Sequence, residues 1–265
     1  MNSIPVVIVC GGRGTRMRGS TATKKELVEI GNRPILWHVM RIFSAHGFQR
    51  FILTLGFGAD QIRRYFLEYN IMTRDLTLTL GTPADGPARS QLHGRIEHPP
   101  WEVSLVDTGL DTEKASRIAH VASFLKGDRF FVAYGDDVSD VDLGALVKFH
   151  QQHGKLATIT AVQVNLPYGV VEADEHGLVS GFVERPRLPY WINGGFMLFE
   201  RPVLDIMANG DNVSLETKVL PELAQKGQLM IYRHTGFWQS MNTMKDTLLL
   251  EQIWQQNPPW KIWDD

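Results

Sequence analysis

The chain has one cysteine in 265 residues, Cys10, which excludes an internal disulfide and any zinc site built on paired cysteines. Placed at the end of an apolar run, Cys10 reads as a small packing residue. Long apolar runs are missing too, since no window approaches the ~20 apolar residues that cross a bilayer. The opening run is too short for a signal peptide and meets glycine and arginine at once. Nor is there an excess of either charge: 27 basic residues face 29 acidic ones, for a formal net charge of −2. Nonspecific nucleic-acid or membrane-surface binding wants a basic field, so that class is disfavoured. No repeat and no linker divides the chain. A cytoplasmic α/β protein with one large core, or two lobes sharing a sheet, is the expectation.

What is present concentrates near the N-terminus. Val6-Val7-Ile8-Val9 suits a parallel strand buried on both faces, and it runs into Cys10-Gly11-Gly12-Arg13-Gly14-Thr15-Arg16. Glycines let the backbone turn tightly and aim several N–H groups one way, while Arg13, Arg16 and the pair Lys24-Lys25 add positive charge. A multiply charged anion is the expected guest, against the plainer alternative of a tight turn with solvated arginines. Two better-known glycine loops do not fit. The dinucleotide fingerprint needs glycine where Met17 stands, and the Walker loop needs Gly-Lys-Ser/Thr where Gly14-Thr15-Arg16 stands.

Farther along, Pro34 suits the first turn of a helix with Leu36, Val39, Met40 and Phe43 at helical spacing and Gly47 as its stop. Phe51 to Leu55 is a second buried strand. Strand, helix, strand makes a right-handed βαβ unit, so the glycine loop lies at the carboxyl end of the first strand, where open α/β sheets bind ligands. Asp60 is expected to cap a helix through Asn70, and Leu76 to Leu80 to form a strand. Gly81 to Pro100 reads as a long loop, functional, an oligomer contact, or a surface insertion.

A strand at Glu102 to Val106 and a helix from Glu113 to Leu125 precede the buried strand Arg129 to Ala133, which runs into Tyr134-Gly135-Asp136-Asp137. Carboxylates there are poor packing elements and good ligands for a hard divalent cation. Asp140 or Asp142 suits a helix N-cap and Asp137 a solvated turn, which leaves Asp136 for metal. The second half reads as strands at Leu156 to Val164 and Trp191 to Phe199, a hairpin across Asp174 to Gly177, and helices at 201–207, 215–226 and 244–255. The tail holding Trp260 and Trp263 is expected to pack on a surface or another subunit.

Taken together, these motifs resemble the sugar-phosphate nucleotidyltransferases, and within them the glucose-1-phosphate cytidylyltransferases. The resemblance rests on Gly11 to Arg16, Lys25 ahead of Leu27-Val28-Glu29-Ile30-Gly31, Trp101 to Gly109, Tyr134-Gly135-Asp136, Val183-Glu184-Arg185-Pro186, Ile192-Asn193-Gly194-Gly195-Phe196 and Gly236-Phe237-Trp238-Gln239. It implies a Rossmann-like three-layer α/β fold with a mixed, mostly parallel sheet and a smaller β-rich sugar-binding portion. It makes 1–140 mainly the nucleotide-binding half and 141–265 mainly the sugar-phosphate half of one domain.

The implied chemistry is in-line attack of a sugar 1-phosphate on the α-phosphorus of CTP, giving a CDP-sugar and pyrophosphate. Catalysis is then positioning and charge neutralisation. The implied catalytic residues are Arg16, Lys25 and Asp136. Gly11, Gly12, Gly14, Thr15, Arg16, Thr108 and Gly109 bind the nucleotide, and Glu184, Arg185, Asn193 and Gly194 bind the sugar phosphate. The resemblance also implies Mg²⁺ on Asp136 and Asn242 and a homo-oligomer, with the Gly81 to Pro100 loop, Trp260 and Trp263 as candidate contacts.

Several positions depart from the pattern. Glu26 stands beside Lys25, Arg185 replaces a lysine, Lys114-Ala115-Ser116-Arg117 replaces Thr-Gly-Gly-Arg, and Leu166-Pro167-Tyr168-Gly169 replaces Gly-Arg-Phe-Gly. Most consequentially, Asn242 replaces an aspartate expected to be the second metal ligand, with Asp246 a nearby candidate. Asn242 and Glu26 motivate one alternative, a nucleotide-binding subunit that has lost catalysis. Another keeps the chemistry and changes the nucleotide.

Overall fold

The computed structural model describes residues 4–12, 23–79, 89–94 and 100–264. Its frame is an eight-stranded sheet. In chain order the strands are β1 (Val6–Val9), β2 (Arg50–Leu55), β3 (Glu102–Asp107), β4 (Arg129–Tyr134), β5 (Ala157–Val162), β6 (Ile192–Asn193), β7 (Met197–Glu200) and β8 (Leu229–Arg233). β1 lies between β2 and β4, β3 flanks β2, and all four are parallel. β7 runs antiparallel between β4 and β5, β6 is antiparallel to β5, and β8 is parallel to β5. The sheet is therefore mixed and mostly parallel, as expected.

Strand alternation sends side chains to two cores. Val6, Ile8, Phe51, Leu53, Phe131 and Leu198 face one core, shared with the helix α1 (Ile35–Ala45). Val7, Ile52, Phe130, Val132, Met197 and Phe199 face the other, shared with α2 (Lys114–His120) and the segment 203–223. Helices on both faces of a parallel sheet give the three-layer α/β arrangement. Cys10 is fully buried in the first core, so it packs as its position implied. Six-residue β2 and β4 carry near-continuous burial, and each fully buried Phe, Leu or Ile contributes about 1.5–3 kcal/mol relative to exposure.

Several local expectations change. The helix after β2 is Ala59–Leu67, capped by Gly58 at φ 68°, a left-handed conformation that glycine adopts without strain. Asp60 accordingly sits in the first turn, where its charge complements the helix dipole, and caps nothing. Within the expected 81–100 loop, Arg89–Leu92 pairs antiparallel with Leu76–Thr79, while 80–88 and 95–99 lie outside the described residues. The Trp191 to Phe199 strand is broken into β6 and β7 where Gly195 (φ 73°) and Phe196 (φ 44°) turn the backbone.

β8 and the short strand Trp238–Ser240 were not anticipated. Pairing of Trp238–Ser240 with Asp137–Ser139 pulls Asp137 into a buried ladder, so Asp137 is not a solvated turn residue. Asp142 does cap its helix, Leu143–His153, accepting from the Ala145 N–H at 2.8 Å. The tail folds back onto its own chain. Trp260 is fully buried, stacks on Phe237 and donates to His38 Nδ1 at 3.3 Å, so it is not available to another subunit. Trp263 meets Trp37 edge-on, with the Arg41 guanidinium 5.0 Å from its ring.

Candidate functional site

The carboxyl ends of β1, β3 and β4 open onto a cavity of about 560 Å³. Its lining includes Gly12 after β1, Thr112 to Lys114 and Arg117 after β3, Tyr134, Asp136 and Asp137 at β4, and Asn193 on β6. Lys25, Glu26, Trp238, Ser240 and Asn242 complete it.

Lys25 belongs to the short 3₁₀ turn Lys25–Leu27. That turn is anchored by its neighbour Lys24, whose N–H donates to Gln61 Oε1 at 2.8 Å and whose buried ammonium donates to the Gly12 carbonyl at 2.5 Å. Lys24 also faces Glu26 at 3.3 Å. Burial pushes the Glu26 carboxyl up to about 7 despite the Lys24 charge beside its Oε2. With Lys24 turned inward, Lys25 faces the cavity. Its ammonium forms an ion pair with Asp136 and donates to Asn242 Oδ1 at 3.0 Å.

Asn242 is oriented for this contact. Its Nδ2 donates to Ser240 Oγ at 2.8 Å, which leaves Oδ1 toward Lys25. Asp246 does not line the cavity, and its Oδ2 accepts from the N–H groups of Asn242 and Thr243 in the capping box of the helix Met244–Trp254. Asp137, beside Asp136, has its carboxyl pushed well above the usual range by burial first and the Asp136 charge second.

These oxygens bear on a metal. Among the described residues no group of three or more His, Cys, Asp and Glu is placed to hold one. Asp136 and Asn242 nevertheless bring a carboxylate and an amide oxygen to one cationic position, that of the Lys25 ammonium. This set does not make an all-protein cage. It does fit a hard divalent ion held by one carboxylate and completed by substrate phosphates.

On the other side of Gly11, Arg117 ties three strand ends together. Its guanidinium donates to the carbonyls of Gly11 (3.3 Å), Leu55 (3.1 Å), Gly109 (2.7 Å) and Leu110 (3.1 Å) and to Thr108 Oγ1 (2.8 Å). A Cβ on Gly11 would overlap this guanidinium, which is why glycine is needed there. Thr108 and Gly109 are held by Arg117 but do not themselves line the cavity, and Thr108 is buried.

Arg13, Gly14, Thr15 and Arg16 lie outside the described residues. Of the expected sugar-phosphate residues, Asn193 lines the cavity, and the Gly194 carbonyl accepts from Trp238 Nε1 at 2.8 Å. Glu184 and Arg185 do not join them. Both are exposed just past the hairpin formed by Val170–Ala173 and Val179–Val183, their charged groups 3.6 Å apart, with Arg185 at φ 50°.

Comparison with known proteins now decides the family. Residues 5–257 match the family described as nucleotidyl transferase. The chain belongs to that family. The glucose-1-phosphate cytidylyltransferase of Salmonella typhi is 40% identical over 263 residues, covering 97% of this nucleotidyl transferase and 99% of the relative. A probable glucose-1-phosphate cytidylyltransferase of Bacillus subtilis is 35% identical over 259 residues, with 97% and 99% covered. The crystal structure of HddC from Yersinia pseudotuberculosis superposes with a TM-score of 0.68 at 20% identity, covering 94% and 98%, which establishes the shared fold. Relationship to enzymes along the whole chain does not favour a subunit that has lost catalysis.

Sequence reasoning missed a group in this nucleotidyl transferase. Lys114 pairs with Glu216, Tyr134 donates its hydroxyl to Glu216 Oε1 at 2.8 Å, and Asn193 Nδ2 donates to Tyr134 Oη at 3.3 Å. Burial pushes the Glu216 carboxyl up, but the donors Lys114 and Tyr134 outweigh it and hold it below its ordinary value. Lys114 was visible only as a departure from a glycine-containing segment. Glu216 carried no signal, being 102 positions away.

Proposed function

We propose that this nucleotidyl transferase joins CTP to a sugar 1-phosphate, with glucose 1-phosphate the first candidate, and releases pyrophosphate and a CDP-sugar. An oxygen of the acceptor phosphate attacks the α-phosphorus. The new P–O bond forms as the bond from that phosphorus to the oxygen bridging to the β-phosphate breaks, and the electron pair leaves with pyrophosphate. The reaction brings two polyanions together, so fixed positive charge at the reacting phosphate is what the protein must supply.

The observation that carries this reading is the Lys25 ammonium, held by Asp136 and Asn242 at the carboxyl ends of the parallel strands. With Mg²⁺ on Asp136 and Asn242, the ammonium would turn to the α-phosphate and neutralise it. Gly11, Gly12, Gly14, Thr15 and Arg16 would cradle the triphosphate, supported by Gly12 in the cavity lining. Thr108 and Gly109 would border the base, supported by their bonds to Arg117, which also holds Gly11. Asn193 would orient acceptor hydroxyls, supported by its place in the lining. Nucleotidyltransferases commonly use a divalent metal, and here Asp136 and Asn242 would hold Mg²⁺, which neutralises charge on the phosphate oxygens when bound.

In this reading residues 1–140 mainly serve the nucleotide and 141–265 mainly the acceptor. The protein works in the cytoplasm, where CTP is supplied, as a homo-oligomer. The hairpin offers an oligomer surface, since Val171, Leu178, Val179, Phe182 and Val183 are all exposed there. A thermal-shift panel of CTP, UTP, GTP, ATP and dTTP with Mg²⁺ tests the base. CTP alone is expected to raise the melting temperature by roughly several degrees. Equal shifts with all five would remove CTP from the assignment.

A further inference from the structure

The proposed reaction needs a cation for each of two anionic substrates, and the cavity's cations are not equally committed. Among the described lining residues the cations are Lys25, Lys114 and Arg117. Lys25 is engaged by Asp136 and Asn242. Arg117 spends its guanidinium on four backbone carbonyls and Thr108, and is buried. Among the described residues the three N–H donors of Lys114 have one hydrogen-bonding partner, Glu216 Oε1, with the ammonium 4.7 Å from the centre of the Tyr134 ring.

Lys114 also stands beside the groups suited to a polyol. Tyr134 and Asn193 line the same wall, and Asn193 Nδ2 uses one of its two N–H groups on Tyr134 Oη. Glu216 is not in the lining. It sits behind Lys114 and Tyr134, and its Oε1 takes a hydrogen bond from each. A carboxylate in that place fixes both neighbours without meeting the substrate. Arg185, the cation expected to meet the sugar phosphate, is exposed just past the hairpin and paired with Glu184.

We propose that Lys114 is the residue that binds the phosphate of the acceptor, with Tyr134 and Asn193 beside it for the acceptor's hydroxyls and Glu216 as the positioning residue that fixes Lys114. This rests on the reading of the cavity as a sugar-1-phosphate cytidylyltransferase site. Lys25 and Lys114 then divide the cavity, one serving the nucleotide and the other the acceptor.

The test is steady-state kinetics of the full chain with CTP, Mg²⁺ and glucose 1-phosphate. Lys114→Met keeps most of the stem and removes the charge. It is expected to raise KM for glucose 1-phosphate about tenfold or more, the usual size for a charge-assisted hydrogen bond, with KM for CTP unchanged within about twofold. Lys114→Arg should recover most of the loss. Glu216→Gln should raise the same KM by a smaller factor in the parent, and by less still in the Lys114→Met background, where only its bond to Tyr134 is left to lose.

An unchanged KM for glucose 1-phosphate would overturn the assignment. So would a rise confined to CTP, which would put Lys114 at the nucleotide. If the parent protein turns over no sugar 1-phosphate, the functional reading fails by itself. Calorimetric titration of glucose 1-phosphate into parent and Lys114→Met then reads the contact directly, and equal affinities, including no binding to either, would overturn it.

Discussion

Lys25 and Lys114 stand in one cavity, each with a carboxylate partner, and the two pairs are built differently. The Lys25–Asp136 side chains are 14% and 19% exposed, whereas Lys114 and Glu216 are 41% and 34% exposed. Lys25 follows a buried lysine locked to the Gly12 carbonyl and to Gln61, and meets a second oxygen on Asn242. Lys114 begins a seven-residue helix and depends on one carboxylate. An ammonium fixed from several sides suits charge that develops at a set point, while a more exposed one suits a substrate that must enter and leave.

The largest effect should come from the less exposed pair. Asp136→Ala removes the ion-pair partner of Lys25 and the carboxylate proposed for metal. It is expected to lower kcat by about 100-fold or more, comparable to losing a preorganised charge in a catalytic site. A loss below about fivefold in steady-state turnover would erase the distinction between the two pairs. Next comes the roughly tenfold acceptor effect of Lys114→Met given above.

A smaller change should sharpen the comparison. Asn242→Asp adds a second carboxylate at the oxygen that now faces Lys25. The Mg²⁺ concentration giving half-maximal activity should fall about threefold or more, since hard cations prefer carboxylates. Unchanged Mg²⁺ dependence would detach Asn242 from the metal.

The smallest functional effect lies outside both pairs. His38 is fully buried, with Nε2 2.8 Å from the Ile30 carbonyl and Nδ1 accepting from Trp260 Nε1, which fixes a neutral ring. Burial is the main cause that lowers its pKa to about 4. The folded protein therefore binds fewer protons here than the unfolded chain between about pH 6.5 and 4, and stability is lost as pH falls through that window. Denaturant unfolding should show up to about 3 kcal/mol of such loss from this site. His38→Gln should remove that slope and leave acceptor KM at pH 7 unchanged. An identical slope in the variant would contradict the assignment to His38.

The same contrast shows what could be read from residues alone. β1 and β4 were legible because short apolar runs ending in Gly11 and Gly135 state both burial and a turn. Lys25 and Asp136 followed from their places after those strands. What escaped was decided by pairing across long separations. Asp137 pairs with Ser240 across 103 positions, Glu216 reaches Lys114 across 102, and Trp260 finds His38 across 222. Asp246 had the right chemistry for a ligand, but a local capping box claims it. Glu184 and Arg185 matched a motif, yet they lie exposed just past the hairpin.

The most direct test of the central claim is pyrophosphate release by the full chain from CTP and glucose 1-phosphate with Mg²⁺, compared with Lys25→Met. The parent should release pyrophosphate only when nucleotide, acceptor and metal are all present, and Lys25→Met should slow it by about 100-fold or more. No release with any sugar 1-phosphate, or an undiminished rate in Lys25→Met, would contradict the account.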